Sequence, residues 1–184
     1  MPKSPTERNA LLGQRPFAVV VSCTDQPIPA WRLFGDDPGI RIVAAAGGVV
    51  DDLQTSRIEH ACRVEGAAAL VVLGHTGCEA VRQGVFQARR GVHTRLARAM
   101  GGLASGLPLE GGRMPRSVLD ALIERNVERA LQSLRDLSSI VAALELGGRL
   151  RLAAALYDED RGEVEFLPTV SPHRWPAPDE EPLA

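Results

Sequence analysis

Two stretches, residues 17–22 and 67–73, run apolar without alternation and then stop at side chains that bind metals. Cys23 and Asp25 follow the first; Gly74, His75 and Cys78 follow the second. Unalternating aliphatic runs bounded by glycine and polar residues suit strands buried on both faces of a parallel sheet. Open α/β sheets bind ligands at the carboxyl ends of their strands, where strand order reverses. Two thiolates, an imidazole and a nearby carboxylate at such ends make a candidate Zn²⁺ site.

The remaining chain supplies the helices and turns that such a sheet needs. Residues 41–45 read as a strand entering Gly47-Gly48, and 50–64 as a helix with Leu53, Ile58, Ala61 and Val64 on its apolar side, ended by Gly66. A helix is expected over 78–90, and a long loop over 100–116, which holds five glycines and two prolines. A helical stretch over 117–146, with a break near Ser138-Ser139, stops at Gly147-Gly148. Strands at 150–157 and 163–167 flank a turn and form an edge hairpin. The expected architecture is α/β: a central, mainly parallel sheet flanked by helices, with a C-terminal hairpin. Residues 1–15 read as a flexible leader, 16–168 as one domain and 169–184 as a proline-rich acidic tail.

Composition narrows the partners. A formal net charge of −2 offers no general attraction to nucleic acid or anionic membranes, and no apolar run approaches the length of a membrane helix. Three cysteines and no secretory signal point to a reducing, cytoplasmic setting. A cysteine-nucleophile enzyme is the rival from residue types. It needs amide donors and an arginine just after the thiol, but Pro27 and Pro29 follow Cys23, and the turn after Cys78 offers Arg82 with little glycine. No phosphate-cradling glycine motif occurs. Cys62 reads as a buried neutral thiol, His60 and His93 as surface groups, and the arginines from Arg82 to Arg98 as a solvated helix face.

Taken in order, these motifs resemble the β-class carbonic anhydrases. That family pairs C-x-D-x-R after one strand with G-H-x-x-C after a later one; here they read Cys23-Thr-Asp25-Gln-Pro27 and Gly74-His75-Thr-Gly-Cys78. Its R-N-A-G and S-L-E-Y-A segments correspond to Ala44-Ala45-Ala46-Gly47 and Arg57-Ile58-Glu59-His60-Ala61, and Asn126-Val127 also matches its C-terminal half. The resemblance implies a homodimer or higher oligomer with Zn²⁺ on Cys23, His75 and Cys78. Asp25 would be the catalytic carboxylate that fills the fourth position or releases it to water. Zinc-bound hydroxide would then attack carbon dioxide to give bicarbonate.

The departures bear on activity. Pro27 stands where the family has the arginine that grips the aspartate and holds it off the metal, a bond proline cannot make. Asp25 is then expected to turn toward the ion, closing the site and weakening hydration, unless Arg32 or Arg57 takes the arginine's place. Glu79 also replaces the usual glycine after the last ligand. Two other readings share the scaffold: a zinc enzyme acting on another small electrophile, such as carbonyl sulfide or a biosynthetic intermediate, and a non-catalytic zinc-binding paralogue.

Overall fold

A computed structural model describes residues 18–25, 39–105, 107 and 113–168. The leader, the segment with Pro27, Trp31 and Arg32, and the tail with His173 and Trp175 lie outside the described residues.

Five strands form one mixed sheet in the order β2-β1-β3-β4-β5. They are β1 (Ala18–Cys23), β2 (Ile40–Ala45), β3 (Ala69–His75), β4 (Arg151–Asp158) and β5 (Glu163–Phe166). The first four are parallel, and β5 returns antiparallel on β4, as the hairpin pattern predicts. Both faces of the central strands are buried, which explains the missing alternation. Val19, Val21, Leu70, Val72, Leu152 and Ala154 pack to one side, and Val20, Val71, Leu73, Ala153 and Ala155 to the other. From β1 the chain steps outward to β2 and then crosses back to β3. The reversal therefore falls between β1 and β3, the strands that end in Cys23 and His75.

Helix α1 (Asp52–Glu59) is capped by the Asp51 carboxylate and runs into a π-helical turn, His60–Glu65, that Gly66 ends at φ +85°. Ile58 and Ala61 are buried as expected, but Leu53 and Val64 are exposed. Val64 lies within the wider π turn, whereas Leu53 lies in the regular helix before it, about 140° round the axis from Ile58. Helix α2 (Glu79–Arg89) starts at Cys78. The expected break at Ser138 separates α4 (Arg116–Leu137) from α5 (Ser139–Leu146), and the Ser138 hydroxyl caps α5. Cys62 is buried, and burial pushes its thiol up to about 12.

The 100–116 segment departs from expectation, because its first residues complete a helix, α3 (Arg95–Leu103). Gly101 and Gly102 do not break it; Gly101 lies where α3 meets α2, and a Cβ there would stand 3.0 Å from the Cβ of Ala88. Close helix contact outweighs the weak helix propensity of glycine, worth about 1 kcal/mol.

One glycine sets the depth at which α4 lies on the sheet. A Cβ at Gly74 would come within 2.6 Å of Val127 Cγ2 and 2.9 Å of Leu156 Cδ2. Gly74→Ala should therefore overpack the layer beside His75 and lower stability by about 1–3 kcal/mol, with an unchanged urea m-value. An unchanged urea midpoint would contradict this packing.

Candidate metal centre

The end of β1 delivers Cys23, and the end of β3 delivers His75. Two residues later the chain turns through Gly77, at φ +71°, to put Cys78 at the start of α2. That turn is tied on both sides: the Thr76 amide donates to the Tyr157 carbonyl at 3.0 Å, and the Gly77 amide donates to Asp120 at 3.2 Å. The result brings Cys23, His75 and Cys78 together, with one ligand atom from each lying within 4.8 Å of the others and all three residues buried. The cavity at this point encloses about 10 Å³, with walls from Val72, Leu73, Val81, Ile123 and Val127. That is room for one small ion or a water.

The imidazole is oriented by a residue that the sequence reading did not single out. His75 Nδ1 donates to the Glu159 carboxylate at 2.6 Å, so Nε2 is the nitrogen a metal ion would take, displacing any proton there. His75 Nε2 is buried without a hydrogen-bond partner among the described residues. An orphaned buried nitrogen costs about 1–3 kcal/mol, a cost that a bound cation removes. Glu159 is itself held, because its amide donates to the Thr76 hydroxyl at 3.1 Å. Its place follows from the sheet: His75 pairs with Tyr157 across β3 and β4, and Glu159 lies two residues further on.

The sulfurs sit 3.6 Å apart and share a proton. The hydrogen bond with Cys78, opposed by burial and helped by His75 and the amides of Asp25 and Gly47, brings the Cys23 thiol down to about 4. The same bond and burial push the Cys78 thiol up. Burial opposes charge on His75, yet the Cys23 thiolate and the Glu159 carboxylate outweigh it and raise the imidazole above its ordinary value. Two soft sulfurs and a neutral imidazole nitrogen, buried together, fit Zn²⁺ in the donor set they offer.

Asp25 stands apart from this group. Its carboxylate Oδ2 accepts from the amides of Glu79 at 2.7 Å and Ala80 at 3.3 Å, capping α2 from a neighbouring strand end. The missing guanidinium removes one possible partner of this carboxylate, and two backbone amides of α2 engage it instead. The start of α2 occupies it, where the helix dipole also favours a negative charge. Arg57 lies elsewhere, in a surface groove with Arg41, His60 and Glu65, and no described bond joins it to Asp25. His60 and His93 are exposed, and His60 faces Glu65 at 3.8 Å.

Comparison with known proteins agrees with this arrangement. Residues 18–164 match the family model described as carbonic anhydrase. The chain is 30% identical over 154 residues to carbonic anhydrase 2 of Mycobacterium tuberculosis (strain CDC 1551 / Oshkosh), covering 83% of this chain and 74% of that protein. It is also 30% identical over 170 residues to a carbonic anhydrase of Pseudomonas aeruginosa, covering 84% and 74%. Among solved structures, the tetrameric β-carbonic anhydrases of Sordaria macrospora align with a TM-score of 0.72 at 18% identity, over 90% of this chain and 88% of that one. The Coccomyxa β-carbonic anhydrase in complex with acetazolamide aligns at 0.71 and 22% identity, over 88% and 77%. These last two are likenesses of fold.

Replacing Glu159 by glutamine removes the charge that holds the ring while keeping its size. Zn²⁺ affinity, measured by competition with a chromophoric chelator, should fall about 10–100-fold. Unchanged affinity would contradict the orienting role of Glu159.

Proposed function

Because the chain belongs to the β-class carbonic anhydrase family, we propose that it hydrates carbon dioxide to bicarbonate at a Zn²⁺ ion held by Cys23, His75 and Cys78. The observation that carries this reading is the buried Nε2 of His75, without a hydrogen-bond partner among the described residues, beside two buried sulfurs. When bound, the ion supplies Lewis acidity, making a water acidic enough to attack carbon dioxide near neutral pH.

The chain's own groups do the rest. Glu159 holds the His75 ring in the tautomer that presents Nε2. The amides of Glu79 and Ala80 keep Asp25 Oδ2 engaged, leaving Oδ1 as the oxygen that receives a hydrogen bond from the attacking water. The aliphatic walls formed by Val72, Val81, Ile123 and Val127 keep bulk water away from the cluster.

Activity is reduced relative to a site with the arginine. Two amides and a helix dipole amount to about half a positive charge, whereas a guanidinium carries a whole one. Two thiolates already cancel the charge of the ion, so the surroundings must help to acidify the water. A homodimer or higher oligomer is proposed on the family's pattern; the Sordaria macrospora relatives are tetrameric.

Stopped-flow hydration of carbon dioxide by the zinc-loaded protein tests this reading. The wild type should show saturable catalysis. Asp25→Ala should lower kcat/KM at least about 100-fold with zinc retained, the low end of what a proton-handling group contributes. Pro27→Arg should raise the rate. A wild type with one zinc per chain and no hydration would contradict the proposal.

A further inference from the structure

Asn126 is a polar residue on an apolar stretch of α4, only 6% exposed, between the buried Ile123 and Val127. Its amide nitrogen donates to the carbonyl of Gly47. The Gly47 N–H in turn donates to Cys23 Sγ at 3.2 Å. We infer that Asn126 is a positioning residue for the metal centre: by anchoring the Gly47 carbonyl it keeps the Gly47 N–H aimed at the Cys23 sulfur, and so sets how strongly that sulfur donates to the ion. The inference rests on the reading of Cys23 as a metal ligand.

The carbonyl and the amide of Gly47 belong to the two peptide planes that flank its Cα. Pinning one orients the other only where the torsions between them are held. Here they are held in a conformation that side chains rarely adopt, φ +63° and ψ +13°, followed by Gly48 at φ +66°. The turn is closed by the Val49 amide donating to the Ala46 carbonyl at 3.3 Å. Space is restricted as well, since a Cβ at Gly47 would lie 3.0 Å from Leu96 Cδ1. A turn of this kind has little to stabilise it locally, and Asn126 ties it to the longest helix of the described chain. An N–H directed at a thiolate stabilises its filled orbitals and moderates donation to a metal. Without it the sulfur donates more and the ion becomes a weaker Lewis acid.

A purely structural asparagine would affect stability alone, so the test reads the sulfur. In the Co²⁺-substituted protein, Asn126→Leu should move the thiolate-to-cobalt charge-transfer band to lower energy, with tetrahedral ligand-field bands kept. A lower urea midpoint with an unmoved band would overturn the inference. Should this variant fail to fold, Asn126→Asp keeps the size but loses the donor. In ¹¹³Cd-loaded, ¹⁵N-labelled protein, the wild type should show scalar coupling between the Gly47 amide proton and cadmium through Sγ, and Asn126→Asp should lose it. Coupling absent from the wild type, or equal in both, overturns the inference. A wild type that takes up neither ion overturns the ligand reading itself, and this inference with it.

Discussion

The hydrogen bond between His75 Nδ1 and Glu159 is short, and it links residues 84 positions apart in the chain. Through it the carboxylate takes the proton-bearing side of the imidazole, so the other nitrogen is left beside two sulfurs at a small buried cavity. The site depends on that choice of tautomer. With the ring reversed, Nε2 would meet the carboxylate and the sulfurs would face a different nitrogen at a different distance. The sheet supplies the geometry: β3 and β4 run parallel and in register, so the strand carrying His75 lies beside the one whose following turn carries Glu159. Thr76 links back to that turn through the Glu159 amide, making the ligand and its orienting group parts of one structure.

The same economy explains how the chain manages without the arginine of its family's motif. A carboxylate two residues beyond a thiol of the Cys-His-Cys cluster has two ways to turn, toward that cluster or away from it. Here the first turn of α2 provides two amides with no intrahelical partners, and Asp25 caps them. Capping satisfies the helix and keeps the carboxylate aside in one contact. Because Cys78 immediately precedes those amides, the last sulfur ligand and the aspartate are placed by the same helix start.

Much of this was legible in the sequence because its signals are local. Unalternating valines and leucines marked β1 and β3, the residues closing them marked the buried cluster of Cys23, His75 and Cys78, and Ser138-Ser139 marked the break between α4 and α5. What escaped depends on contacts between distant segments. Glu159 sits in a turn of acidic residues, and nothing distinguishes it from Asp158 or Asp160 until strand register puts it beside His75. Helix α3 was hidden by Gly101 and Gly102, which read as breakers and instead let two helices approach. Val64 falls in a π turn that does not keep the helical period, and Leu53 sits round the regular helix from the buried Ile58. The partners of Asp25 were invisible for a simpler reason: they are backbone groups, and no residue type announces them.

X-ray absorption at the zinc edge of the purified, metal-loaded protein reads the donor set of this site. One zinc per chain is expected, with two sulfurs at about 2.3 Å, one imidazole nitrogen at about 2.0–2.1 Å and one exchangeable light ligand from solvent. A protein that binds no zinc, or whose zinc has no sulfur neighbours, would contradict it.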